Sequence, residues 1–230
     1  MTLWYNSPRM YPLQREILYR LITNSCLPFS KLKPKEVDSN LFMYHLKQLV
    51  KEDLVCKRTD GKYELTAEGL VFADRLSLSS FKPRIQPKII TMIVCQNKKG
   101  EYLLYKRKRQ PFIGLSGFTY GKIHLGEKVA QAAERELREK TGLEAKLAHC
   151  GEVYLTTIKD GNVLASIFCH VFVGKNPTGQ LIKDSEIGEC FWTNLKTFGS
   201  EKFMPGFFDV LSLVEKRSPH LFFAEFTFNL

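Results

Sequence analysis

The stretch from Gly121 to Leu143 constrains this chain most, because there a glycine-bearing turn passes into a helix dense in charge. Gly121-Lys122-Ile123-His124-Leu125-Gly126-Glu127 leads into a segment carrying Arg135, Glu136, Arg138, Glu139 and Lys140, which stops at Thr141-Gly142-Leu143. Ala130, Ala133, Leu137 and, past the helix, Leu143 supply a small apolar face. Gly142 stands where a left-handed residue would end the helix. Glu136 and Glu139, three apart, share one helix face, a spacing that lets two carboxylates grip one hard cation through oxygen.

These residues resemble the Nudix box: a glycine, five residues, Glu, seven residues, then Arg-Glu-aliphatic-any-Glu-Glu-any-Gly-aliphatic. Gly121, Glu127, Arg135, Glu136, Leu137, Glu139, Gly142 and Leu143 fall in register. The second residue of the Glu-Glu pair is Lys140 instead, and Thr119-Tyr120-Gly121 replaces the Pro-Gly-Gly usual in the family. The resemblance implies hydrolysis of a nucleoside diphosphate linked to another group, with Mg²⁺ or Mn²⁺ held by box carboxylates while water attacks phosphorus. It assigns Glu136 and Glu139 as catalytic residues and metal ligands, with Glu186, or alternatively Glu189, of a downstream acidic loop as a further ligand or base. Arg107, Arg109, Tyr120 and Gly121 are expected at the substrate: in the run of four cations Lys106–Arg109, Arg107 or Arg109 clamps a diphosphate, the alternative being a solvated strand end, and Tyr120 sets a phenol near the phosphate-binding turn. Lys140 bears directly on the metal, since an ammonium repels a cation and cannot ligate while protonated. It follows Glu136 by four residues, the favourable order for a helical ion pair, so the spacing predicts that Lys140 neutralises Glu136 in place of metal.

The chain of 230 residues carries a formal charge of +10, which favours polyanionic partners such as nucleic acid and phosphorylated metabolites. Residues 1–80 carry 12 Lys and Arg against 9 Asp and Glu, a net of +3, and the remainder carries +7. The basic excess is therefore not confined to the N-terminal part. No apolar run reaches the length of a membrane span, and the opening Met1–Pro8 lacks the order of a signal peptide. Six scattered cysteines without paired two-residue spacing argue against structural zinc and for reduced thiols, so a cytoplasmic location is expected.

Ahead of the box, residues 12–23 read as a helix, residues 30–37 as a short helix or turn, and Asp38 or Ser39 caps a third helix to about Glu52. Phe42, Leu46, Leu49 and Val50 form its apolar stripe. A hairpin around Asp60-Gly61 and a helix from Thr66 follow. This order resembles the winged helix-turn-helix of small bacterial regulators. The resemblance implies double-stranded DNA contact by Tyr44, Lys47, Gln48 and Lys51 on the third helix, with Lys57, Arg58 and Lys62 on phosphates.

Ser79–Lys88, with Pro83 and Pro87, reads as an extended linker. Beyond it Ile89–Cys95 and Glu101–Arg107 pattern as a strand pair, residues 152–158 and 163–173 as a long hairpin, and residues 205–216 as a helix. The alternating tail, 224–230, suits an edge strand or a homodimer contact. The expected fold class is α+β: a winged helix-turn-helix domain (1–80), a linker (81–88) and a Nudix α/β/α sandwich with a mixed sheet (89–230). The expected function is binding of a nucleoside-diphosphate-linked metabolite, with Mg-dependent pyrophosphohydrolysis at a site weakened by Lys140. The alternative is a catalytically inactive, ligand-sensing regulator that binds DNA. A structural pair of domains without a small ligand and an RNA-facing hydrolase are the remaining readings, and the latter lacks a base-stacking signature.

Overall fold

The computed structural model describes residues 10–82, 84–195, 202–216 and 220–230. The opening Met1–Pro8 and Pro83 of the linker lie outside the described residues. The chain divides into two compact units, residues 1–85 and 86–230.

In the first unit α1 (Pro12–Ile22), α2 (Phe29–Leu32) and α3 (Ser39–Lys51) precede the hairpin β1 (Val55–Lys57) and β2 (Tyr63–Leu65), then α4 (Ala67–Arg75). Asp38 starts α3 by accepting from the backbone N–H groups of Asn40 (2.9 Å) and Leu41 (3.0 Å), satisfying donors the helix itself cannot pair. Ile17, Leu18, Leu32, Phe42, Leu46 and Leu49 are fully buried together, each contributing about 1.5–3 kcal/mol by leaving water. The stripe of α3 differs from expectation at one place: His45 is buried and Val50 is 43% exposed. Phe42, His45, Leu46 and Leu49 follow i, i+3, i+4, i+7, a tighter helical phase than one ending on Val50. Thr66 caps α4 by accepting from the N–H of Gly69 at 2.9 Å.

The stretch after α4 is not the extended linker expected. Phe81 donates its N–H to Ser77 O (2.7 Å), Ser77 to Lys82 O (3.0 Å) and Arg84 to Arg75 O (2.8 Å). Phe81 packs against the N-terminal core, and its burial turns the chain back on itself.

The second unit is built on a mixed sheet. Its strands are β3 (Lys88–Gln96), β4 (Tyr102–Arg107), β5 (Ser116–Gly117), β6 (Thr119–Lys122), β8 (Leu147–Lys159), β9 (Asn162–Lys175), β11 (Gly188–Thr193) and β12 (Phe222–Asn229). The order is β11-β4-β3-β9-β8-β12, with β5 beside β4 and β6 beside β3. Strands β3 and β9 run parallel, as do β12 and β8, and the other pairs of the sheet are antiparallel. A separate two-stranded pairing joins β7 (Leu143–Glu144) to β10 (Thr178–Gly179).

One helix covers each face. α6 (Phe207–Glu215) packs Phe207, Val210 and Leu211 against Ile90, Met92, Val94, Val153 and Val171. α5 (Val129–Thr141) packs Ala133 and Leu137 against Ile93, Cys95, Leu103, Tyr105 and Phe172 on the opposite face. This is the α/β/α sandwich expected. The tail forms edge strand β12, with Phe222, Ala224, Phe226 and Phe228 turned to the α6 core. Burial pushes the Cys95 thiol up to about 11 and that of Cys169 to about 12. Both behave as small buried hydrophobes. Among the described residues no helix is long and apolar enough to cross a membrane.

Candidate functional site

The site grows from the crossing of α5 over β6. Residues Ala132, Ala133, Glu136, Leu137 and Thr141 form the buried side of α5, whereas Ala130, expected on that side, is exposed. The helix phase thus sets a carboxylate, Glu136, into the interface with the sheet. Gly121 makes room for it: a Cβ at that position would lie 1.6 Å from the Glu136 carboxyl carbon. Gly142 ends α5 with φ +69°, the left-handed conformation expected of it.

Every box carboxylate meets a fixed cation. Arg135 bonds both oxygens of Glu127, from Nε at 2.7 Å and Nη2 at 2.8 Å. Its Nη1 reaches Glu136 at 2.9 Å and Glu139 at 3.2 Å, and Nη2 also donates to Lys122 O at 3.0 Å. The cation gripped by Glu136 and Glu139 is therefore a guanidinium. Glu127 also accepts from the His124 N–H at 2.9 Å. Arg135 first, and this N–H second, hold the Glu127 carboxyl down to about 2, and the same pairing raises Arg135 above its ordinary value.

Lys140 takes up the other side of Glu136, its ammonium 3.2 Å from Oε2, as the four-residue spacing predicted. It also donates to the carbonyl oxygen of Tyr120 and lies 4.8 Å from the centroid of the Tyr120 ring and 5.8 Å from that of Tyr105. A carboxylate oxygen, a backbone carbonyl and two aromatic faces thus enclose one ammonium. Burial lowers the Lys140 pKa, and Glu136 works against that shift.

The predicted substrate residues gather beside this cage. Arg107, buried at the end of β4, donates to the Tyr120 hydroxyl, to Gln110 O at 3.1 Å and to Arg109 O at 3.2 Å. Its guanidinium is committed to the protein, while Arg109 is exposed. Glu139 is also exposed. Glu186 sits in the loop before β11 and is exposed, while its neighbours Asp184 and Glu189 pair with Lys108, Glu189 at 3.5 Å.

The resemblance implies Mg²⁺, and the donor set can be tested against it. Magnesium requires near-octahedral oxygens at about 2.0–2.1 Å. Glu136, Glu139 and Glu186 do not bring three donor oxygens within 4.8 Å of one another, and an ammonium already stands between Glu136 and the Tyr120 carbonyl. As arranged, these side chains do not fit the ion.

The family model for the NUDIX domain matches residues 86–212, more than half of the chain. The chain belongs to the Nudix family. Over 92 residues (39% of this chain) it is 35% identical to an ADP-ribose pyrophosphatase of Methanocaldococcus jannaschii, spanning 54% of that protein's length. It is 28% identical over 128 residues to the uncharacterized Nudix hydrolase YvcI of Bacillus subtilis, covering 55% of this chain and 78% of that protein. Among solved structures, a MutT protein of Bacillus halodurans superposes with a TM-score of 0.51 at 19% identity, covering 62% of this chain and 90% of that one. The NUDIX domain of Shewanella oneidensis NrtR, solved with ADP ribose, gives 0.51 at 16% identity, covering 66% and 99%. These likenesses establish the Nudix fold of the second unit.

In the first unit, Tyr44, Lys47 and Lys51 are exposed on α3 and Gln48 is half-buried, so the four predicted DNA-contacting residues share an accessible side. Lys57 is exposed and lies 5.8 Å from the centroid of the Tyr63 ring. Arg58 is held by Glu64 at 3.1 Å and Asp60 at 3.4 Å, an intra-hairpin pairing that proximity in sequence did not reveal.

Proposed function

We propose that the Nudix unit binds a nucleoside-diphosphate-linked metabolite of the ADP-ribose class and that Lys140 curtails hydrolysis there. The observation that carries this reading is the Lys140 ammonium seated against Glu136 and the Tyr120 carbonyl. A tethered ammonium offsets the Glu136 carboxylate without a metal, which lowers the negative charge that an anionic ligand meets there. It cannot lower the pKa of a bound water as a divalent ion does. Exposed Arg109 is the free guanidinium for a diphosphate, while Arg107 braces the Tyr120 phenol. The archaeal relative's activity on ADP-ribose supports the choice of ligand class.

Phosphate release should be measured from ADP-ribose, nucleoside-diphosphate sugars, dinucleotides and nucleoside triphosphates with Mg²⁺ or Mn²⁺. The expected result is a raised melting temperature with ADP-ribose and little turnover. Turnover removed by both Glu136→Gln and Glu139→Gln would instead make the protein a working hydrolase.

The first unit favours a regulatory version of this reading. Helix, short helix, helix, hairpin and helix, with Tyr44, Lys47, Gln48 and Lys51 accessible on α3, match what a winged helix-turn-helix needs to enter a major groove. Replacing Lys47, Lys51, Lys57 and Arg58 by Ala should abolish salt-sensitive binding to duplex DNA. Binding that keeps its salt slope in this variant would remove DNA from the function.

A further inference from the structure

Three side chains outside the box, His149, Glu152 and His170, each present one donor atom within 4.8 Å of the other two, and they are the one such group among the described residues. Glu152 Oε1 lies 3.5 Å from His149 Nε2 and 3.5 Å from His170 Nδ1. A zinc ion with bonds of about 2.0–2.1 Å to each donor places tetrahedral ligands about 3.3–3.4 Å apart. Two of the three separations therefore already stand close to the spacing such an ion imposes. His149 Nε2 is buried without a hydrogen-bond partner, a lone donor position turned toward the carboxylate.

The backbone is shaped to bring the three together. His149 and Glu152 both belong to β8, and residues three apart on a regular strand point to opposite faces. A register shift against β9 between His149 and Gly151 leaves Cys150 as an extra residue, and such a bulge re-aims a side chain. It returns His149 to the face that carries Glu152. On β9, His170 stands directly opposite Glu152, and His149 stands opposite Phe172 two residues further along the same face. The three side chains are 20–30% exposed, so water or a ligand has access to the vacant positions of a bound ion.

We propose that His149, Glu152 and His170 form a binding site for a divalent transition metal of the zinc or ferrous class. Two imidazoles and one carboxylate select borderline ions over Mg²⁺, which prefers oxygen alone. The site lies on the α5 face of the sheet but apart from the box. Register carries Gly121 to Thr91 on β3 and Thr91 to His170 on β9, so His170 is two strands, roughly 10 Å, from Gly121. Glu136 and this cluster cannot share one ion, and the proposal is independent of the reading of the box.

The full chain, dialysed against chelator and then titrated with Zn²⁺ against a competing chromophoric chelator, tests the site. One tight equivalent per chain is expected, with Co²⁺ substitution giving visible d–d absorption. Both His170→Ala and the near-isosteric Glu152→Gln should weaken it by more than the roughly 10–100-fold that loss of an outer-shell partner costs. Glu139→Gln should leave it unchanged. A preserved thermal transition in Glu152→Gln keeps loss of metal separate from loss of fold. Zinc binding that survives both substitutions, that is lost instead in Cys150→Ser, or that is absent from the unaltered chain overturns the proposal.

Discussion

Two ends of one sheet face solve the same electrostatic problem differently. Under α5, Glu127, Glu136 and Glu139 share two cations of the chain, Arg135 and Lys140. Three strands from Gly121, Glu152 is flanked by two imidazoles that donate lone pairs when neutral and carry charge only when protonated. The first arrangement is complete without an exogenous ion, and the second is completed by one. The difference comes down to residue type at a few positions, with Lys140 in a box otherwise in register the decisive one.

The largest expected effect is steric and sits at the box end. Gly121→Ala would place a Cβ 1.6 Å from the Glu136 carboxyl carbon, so the chain should lose about 1–3 kcal/mol in urea denaturation as Glu136 is forced from its seat. If that seat is the cause, Glu136→Ala in the same background should cost much less than it does alone, a coupling that a double-mutant cycle measures. Additive losses would show that Gly121 matters for backbone reasons and not for Glu136.

Lys140→Glu converts the closed end into one resembling the open end. Without metal, like charges at positions 136 and 140 should lower the melting temperature. With Mg²⁺ the variant should be stabilised and bind at least about tenfold more tightly than the parent, about 1.4 kcal/mol. Calorimetric titration checks this, and unchanged binding would mean that the remaining carboxylates are misplaced.

How much of this was legible in sequence depends on the range of the interaction. The Gly142 cap and the Glu136–Lys140 pair are local, set by spacing along one helix, and both stand as expected. The mixed sheet between two helices followed from the family resemblance that the box carries. The second partner of Lys140, the Tyr120 carbonyl, is 20 residues away and depends on how α5 crosses β6. Ala130 and Val50 were placed on buried sides because each is apolar, yet the packed phase chose Ala132 and His45. The cluster at His149 was hidden more deeply. Residues 149 and 152 point to opposite faces in any regular strand, and only Gly151, an isolated glycine within a strand pattern, signals the bulge that realigns them. The fold-back at Phe81 escapes a reading of the sequence because Pro83 and Pro87 dominate the composition there, whereas a partly buried phenyl ring packs the segment against the N-terminal core.

The smallest expected effect is the pH dependence of the box end. Glu127 has its carboxyl held down to about 2, against an ordinary value of 4.5. As pH falls below about 5, the unfolded chain takes up a proton at Glu127 that the folded chain still refuses, so protonation favours unfolding. The stability contributed by the Glu127–Arg135 pair is thus fully present above 4.5 and is lost as pH falls through about 2. Urea midpoints at pH 5 and pH 3 should differ less in Glu127→Gln than in the parent, because the variant has no proton to gain there. An unchanged difference in Glu127→Gln would mean that the Glu127–Arg135 pair does not carry the acid dependence of the box end, and the contrast drawn from its permanent charges would fail.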